Sequence, residues 1–111
     1  MINGCAKPIQ EPEINQVITG DVKEFTLTAK RFEFSPSTIT VNKGDKVKIT
    51  ITSMDVTHGF SLPDFNINER LEPNQPVTVE FVAGKTGTFT FRCNIICGSG
   101  HSSMSGTLIV K

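Results

Sequence analysis

The chain of 111 residues lacks several features that define large classes of proteins. It has no block of like charges, and its eleven Lys and Arg residues balance eleven Asp and Glu residues. This balance gives no indication of nucleic acid or an anionic membrane surface as a partner. No stretch approaches the ~20 apolar residues that a membrane-spanning helix needs. Three cysteines make an odd count, which argues against a simple disulfide framework.

A sustained helical period is also missing, and a period of two takes its place from Val22 onward. Apolar and polar residues alternate in six short runs, at residues 25–29, 39–41, 47–51, 77–81, 89–91 and 108–110. Such alternation predicts half-buried strands. Turn-forming residues separate the runs, at 35–36, 42–45, 73–76 and 84–87. Short strands with regular turns indicate an all-β fold, a Greek-key β-sandwich or barrel.

We expect one domain, because 111 residues can build one sizeable core but not two. The domain is predicted to span residues 22–111. Residues 1–21, polar and interrupted by two prolines, are predicted to be a flexible N-terminal tail. The tail contains Ile2-Asn3-Gly4-Cys5, which is similar to the end of a bacterial lipoprotein signal. Cys5 is therefore either a free cysteine or a lipid anchor that would tether the protein on the outer side of a membrane.

Cysteine, histidine and methionine are scarce, yet they concentrate near the C-terminus. Residues 93–104 read C-x3-C-x3-H-x2-M, with donors at Cys93, Cys97, His101 and Met104. Thiolate, imidazole and thioether are the donors that select copper among common biological metals. The stretch has no Asp or Glu, the donors that calcium and magnesium prefer. The other histidine, His58, brings the set to two cysteines, two histidines and one methionine.

The predicted strands bring these donors to one end of the sandwich. The stretch that contains four of them joins the predicted strands 87–93 and 105–111. His58 is predicted to lie just past the end of another strand, 46–53, from which it can reach the same end. Loops presented by a rigid sheet scaffold are common locations for functional residues.

Each donor also has a purely structural explanation when it is taken alone. An isolated C-x3-C is more often a disulfide or a pair of buried thiols, a lone histidine a loop residue, and a lone methionine a core residue. Asp55, three residues before His58, is either a group that orients the site or an exposed turn aspartate. Five phenylalanines are assigned to the core without a cofactor role: Phe32, Phe34, Phe81, Phe89 and Phe91.

Asp55-Val56-Thr57-His58 together with C-x3-C-x3-H-x2-M resembles the copper-A (CuA) domain of haem-copper (cytochrome c) oxidase subunit II, most closely the ba-type. The resemblance covers roughly residues 25–111 and implies a cupredoxin-like fold. It implies one-electron transfer through a dinuclear, mixed-valence centre of two copper ions. In that family two cysteines bridge the coppers and each copper takes one imidazole, with weak axial donors on either side. The implied ligands are Cys93 and Cys97 as bridges, His58 and His101, and the axial donors Met104 and the Ile95 carbonyl.

The resemblance also implies partners and a location. The partners would be a c-type cytochrome, an oxidase catalytic subunit, or both, on the periplasmic or extracytoplasmic face of a membrane. Subunit II normally carries a membrane anchor, so the chain is expected to be a soluble homologue or a domain without its anchor.

Two departures from the family concern electron entry and magnesium. Ile95 replaces a glutamate that helps bind magnesium in many subunit II sequences. The chain has no Trp or Tyr, whereas oxidases commonly accept electrons from cytochrome c through an exposed aromatic residue. Electrons would then enter through Phe60 or through an aliphatic patch near the ligand loop, or the partner differs.

Two other functions stay open. A mononuclear cupredoxin electron carrier would use His58, one cysteine, His101 and Met104, and would leave one cysteine unexplained. A copper chaperone or metallation factor for an oxidase is the third function, although chaperone donors tend to lie in exposed, mobile segments. No catalytic residues are predicted in the chain itself. It has no apparent Ser-His-Asp set, and five protein donors leave no obvious open position on a metal.

Overall fold

The computed structural model describes residues 20–99 and 101–111, so Cys5 and the predicted tail up to residue 19 lie outside the described residues. The strands are β1 (Val22–Lys30), β2 (Glu33–Ser35), β3 (Thr38–Val41), β4 (Lys46–Ser53), β5 (His58–Leu62), β6 (Ile67–Leu71), β7 (Val77–Val82), β8 (Gly87–Arg92) and β9 (Ser105–Val110). Short 3-10 helices lie at Pro63–Phe65 and His101–Ser103. Within the described ranges, no helix is long and apolar enough to cross a membrane.

The strands form two mixed sheets. One sheet has the order β2-β1-β4-β7 and the other the order β3-β9-β8-β5-β6. The β1–β4 and β3–β9 pairs are parallel, and the other pairs are antiparallel. Buried apolar side chains from both sheets form one core cluster between them. The architecture is a β-sandwich, which confirms the predicted all-β class.

Alternation predicted the strands that have one face in the core and one in solvent. In β4, Val47, Ile49 and Ile51 are buried while the residues between them are partly exposed. The sequence pattern missed β2, β5 and β6. β5 is buried at four of its five positions, and β6 is a sheet edge with three successive exposed residues, so neither alternates. His58 lies just past the end of β4, where the sequence placed it, and it is the first residue of β5.

Aromatic rings fill the core beneath the end of the sandwich that carries the donors. The ring centroids of Phe60 and Phe91 are 5.0 Å apart, and the ring centroid of Phe34 lies 5.3 Å from that of Phe91 and 5.8 Å from that of Phe60. Phe60 lies two residues after His58, and Phe91 lies two residues before Cys93. This packing fixes the strands from which the two donors project. All five phenylalanines that the sequence assigned to the core are buried in it or packed against it.

A buried carboxylate ties the start of β1 to the turn before β4. Asp45 is 1% exposed and accepts hydrogen bonds from Lys23 Nζ at 2.7 Å and from the backbone N–H groups of Asn42 and Asp21, each at 2.9 Å. The hydrogen bond from Lys23, helped by the one from Asn42, holds the pKa of Asp45 below its ordinary value of 3.8 despite burial. The native state therefore favours the ionised carboxylate.

Asp45→Asn should lower stability at neutral pH and make stability less sensitive to acid. Because the folded-state pKa is depressed, ionised Asp45 stabilises the protein above the unfolded-state pKa of 3.8, and this contribution is lost as the pH falls through the folded-state value. Urea midpoints of parent and variant should differ most near neutrality and converge in strong acid. Glu80→Gln is the control, since the Glu80–Lys46 ion pair is exposed and contributes little. A difference that stays constant across the pH range would contradict this role of Asp45.

Candidate metal centre

Strand pairing brings the donor-bearing segments together at one end of the sandwich. Cys93 directly follows β8 and Met104 directly precedes β9, and the Cys93 N–H donates to the Met104 carbonyl at 3.1 Å. This hydrogen bond extends the β8–β9 pairing and closes the base of the ligand loop, residues 94–103. Ser61 of β5 pairs with Arg92 of β8, so His58 at the start of β5 lies beside the same loop.

The thiol and imidazole donors form a continuous series of contacts. His58 Nδ1 lies 3.8 Å from Cys93 Sγ, the two sulfurs are 3.7 Å apart, and Cys97 Sγ lies 3.8 Å from His101 Nδ1. Two ligands bonded to one ion at about 2.3 Å for sulfur and about 2.0 Å for nitrogen, as at zinc, would be about 3.7 Å apart at a trigonal angle. Donors of this chemistry at these separations fit copper bound between neighbouring thiolate and imidazole groups.

A weak donor lies beside each sulfur. The Ile95 carbonyl oxygen is 3.1 Å from Cys93 Sγ, and Met104 Sδ is 3.8 Å from Cys97 Sγ. The donors thus divide into two halves. Each half has one sulfur, one imidazole and one weak donor, and the two halves meet at the pair of sulfurs.

Cys93 and Cys97 are free and buried, with 3% and 8% of their surfaces exposed, respectively. Their sulfurs are much farther apart than the ~2.05 Å of a disulfide bond. Burial, followed by the neighbouring Cys93 thiol, raises the pKa of Cys97 to about 11. Cys97 is consequently a neutral thiol at pH 7 unless a cation displaces its proton, as metal binding to a thiol does.

Asp55 orients the ring of His58. His58 Nε2 is hydrogen-bonded to Asp55 Oδ1 at 2.7 Å, which leaves Nδ1 facing Cys93. Asp55 also accepts the backbone N–H groups of Arg31 and Val56, at 2.8 and 2.6 Å. Burial disfavours its charged form, yet these two bonds and the one from His58 prevail and lower the pKa of Asp55. Of the two interpretations of Asp55, the structure supports the one in which it orients the site.

Asp55→Ala should weaken copper binding about 10–100-fold, the usual effect of removing a hydrogen-bonding partner from a metal-binding histidine. Competition with a copper chelator measures the change. Glu72→Ala is the matched control, because it also removes a hydrogen-bonded carboxylate. The partners of Glu72 are Thr57 and Arg70, neither of which is a proposed ligand. If both variants bind copper as tightly as the parent, Asp55 has no role in holding His58.

The structure corrects one expectation about the surface and reveals one contact that the sequence did not indicate. Phe60 is fully buried, so it cannot be an exposed aromatic through which electrons enter. Ile96, inside the ligand loop, is 85% exposed and provides aliphatic surface in the region where the sequence suggested an aliphatic patch. The Gly59 N–H donates to Cys93 Sγ at 3.4 Å. No motif in the sequence pointed to this contact.

Comparison with known proteins assigns the chain to a family. Residues 5–110 match the family described as Cupredoxin-like domain. The chain is 36% identical over 106 residues to a cytochrome c oxidase subunit 2 of Thermus thermophilus, covering 94% of this chain and 78% of that protein. The chain belongs to this subunit 2 family of cupredoxin-like domains. It spans 62% of a second, longer subunit 2 from the same species, again at 36% identity.

Solved structures agree with this assignment. A haem-copper terminal oxidase dimer contains a chain that aligns with a TM-score of 0.73 at 29% identity, over 80% of this chain and 65% of that one. The periplasmic domain of subunit II of the Bradyrhizobium japonicum cytochrome oxidase aligns with a TM-score of 0.73 at 21% identity, over 80% and 83%. The second likeness concerns the fold alone. The predicted cupredoxin-like fold is confirmed, and the family assignment supports copper binding and electron transfer by the domain.

Proposed function

We propose that the copper centre of this domain is dinuclear and serves as a one-electron relay. The ligands would be the side chains of Cys93, Cys97, His58, His101 and Met104 and the backbone carbonyl of Ile95. The observation that carries the proposal is the division of the donors into two halves, each with one sulfur, one imidazole and one weak donor, which meet at the sulfur pair at 3.7 Å. Two ions can be held by two thiolates and two imidazoles only if both sulfurs bridge them.

The surrounding fold suits such a relay. Two copper ions held by the thiolates of Cys93 and Cys97 would share one electron hole, which would spread the change in charge over both metals. The chain holds the donors in place through the closed base of the ligand loop, the Asp55–His58 hydrogen bond and the packed rings beneath. Donors that cannot move far limit the structural rearrangement that accompanies each electron transfer.

The two alternative functions fit the geometry less well. In a mononuclear cupredoxin, one buried thiol would stay unused beside a cupric ion, where oxidation is expected. A chaperone must surrender its copper to a partner, which favours exposed donors. Here Cys93 is 3% exposed and His58 is fully buried at the start of a strand.

Copper stoichiometry tests the dinuclear proposal. Reconstituted protein should hold two coppers per chain and be purple, from sulfur-to-copper charge transfer. One copper per chain would favour the mononuclear cupredoxin. Reversible binding of a single cuprous ion, with no stable mixed-valence state, would favour the chaperone.

For partners, we propose a c-type cytochrome as electron donor and an oxidase catalytic subunit as acceptor, on the extracytoplasmic face of a membrane. The relatives are subunits of oxidases, and one solved relative is described as a periplasmic domain. Two large apolar side chains that are exposed, Met54 and Ile96, belong to the segments that carry the ligands. Exposed apolar side chains on such segments suit short-lived contact with another redox protein. A lipid anchor at Cys5 is a separate proposal.

Ile96→Lys should slow electron exchange with a reduced c-type cytochrome by about tenfold, the factor that corresponds to ~1.4 kcal/mol of docking free energy. Stopped-flow mixing measures the rate, and the copper spectrum should not change. Val22→Lys is the control, since Val22 is also exposed (57%) but lies at the far end of β1, opposite Lys46. Docking at Ile96 would be contradicted if both variants slowed electron exchange equally, or if neither variant slowed it.

A further inference from the structure

Asn94, the residue after Cys93, connects the ligand loop to a distant strand. Its Nδ2 donates to Asn68 Oδ1 at 2.8 Å. Asn68 lies on the edge strand β6, opposite Ser61 of β5. β5 lies between β6 and β8 in the sheet. The bond therefore reaches from the end of β8, across the strand that begins with His58, to the edge of the sheet.

Gly59 lies beneath this bond. A Cβ atom at Gly59 would lie 2.0 Å from Asn94 Oδ1 and 3.1 Å from Ile95 Cγ1, so these two side chains pack directly against the glycine backbone. The N–H of the same glycine donates to Cys93 Sγ at 3.4 Å. Asn94 and Ile95 consequently cover the residue that supplies a hydrogen bond to the ligand sulfur. Only glycine leaves room for this close approach.

We propose that Asn94, clamped by Asn68, is a positioning residue for the Cys93 sulfur. The clamp holds the start of the ligand loop against Gly59, which keeps the Gly59 N–H on the sulfur and the Ile95 carbonyl 3.1 Å from it. Hydrogen bonding and apolar cover around a ligand cysteine tune the potential of copper–thiolate sites. An N–H dipole directed at sulfur stabilises the more electron-rich, reduced state. Exclusion of water disfavours the more positively charged oxidised state, so the intact clamp raises the reduction potential.

The first test uses copper-free protein and is independent of the metal. Asn94→Ala and Asn68→Ala should each speed hydrogen exchange of the Gly59 amide roughly five- to tenfold, as expected for the loss of one hydrogen bond. Asn68→Asp keeps an acceptor for the Asn94 amide and should exchange like the parent. Thr78→Ala is the control, because it removes an exposed hydroxyl pair with Thr50 (3.1 Å) on the other sheet. Gly59 exchange that is unchanged in both alanine variants overturns the proposal.

The second test rests on the proposed copper function. In copper-loaded protein, Asn94→Ala and Asn68→Ala should each lower the reduction potential, and the double variant should shift it no further than Asn94→Ala alone. Additive shifts, or a shift in only one single variant, would overturn the clamp. Failure of the parent to bind copper would contradict the proposed function, while the hydrogen-exchange result would still decide whether Asn94 positions Cys93.

Discussion

Cys97→Ser should leave the chain unable to hold two copper ions. Cys97 Sγ contacts three of the other donors: Cys93 Sγ at 3.7 Å, and His101 Nδ1 and Met104 Sδ at 3.8 Å each. A serine hydroxyl is a harder donor that does not suit copper, and a single remaining bridge cannot hold two ions in place. Copper content and the charge-transfer absorption of the reconstituted variant measure the loss.

Cys5→Ser is the matched control for this result, because it makes the same substitution outside the predicted domain. Its copper content and absorption should equal those of the parent. Retention of two coppers and the parent absorption by Cys97→Ser would show that Cys97 is not a bridging ligand. Copper loss in Cys5→Ser would show that the proposed ligand set is wrong.

His101→Ala should lose copper, whereas Met104→Leu should keep it and change the reduction potential. His101 would be a primary donor, while a thioether beside thiolates and imidazoles is a weak axial ligand that tunes the potential. Met104 is also 1% exposed in the core, and a Met-to-Leu exchange that conserves volume usually costs less than ~1.5 kcal/mol of stability. Metal analysis and redox titration of the two variants test this ranking. Copper loss in Met104→Leu together with retention in His101→Ala would reverse it.

Most of the proposed donor set can be recognised in the sequence because its chemistry is local. Four donors lie within residues 93–104, and their softness and order indicate copper without knowledge of the fold. Period-two alternation likewise predicted strands such as β4, whose residues alternate between core and solvent. Both signals depend on neighbours in sequence, so they can be recognised before the chain is folded.

The sequence did not predict features that depend on contacts between distant segments. β5 and β6 lack alternation because one is buried along most of its length and the other is an exposed edge. The Asn94–Asn68 bond joins residues that are 26 positions apart, and Gly59 reaches Cys93 across 34 positions. The sequence indicates Asp55 by its position three residues before His58, in the motif that resembles the family. Its bonds to the N–H groups of Arg31 and Val56 became visible with the structure.

The electron paramagnetic resonance spectrum of copper-loaded protein, oxidised to the mixed-valence state, distinguishes a dinuclear copper centre from a mononuclear one. An unpaired electron shared by two bridged ions interacts with both nuclei. A dinuclear centre should therefore give a signal split by two equivalent copper nuclei, in protein that contains two coppers per chain. A signal split by a single copper nucleus, in protein that contains one copper per chain, would contradict the dinuclear centre.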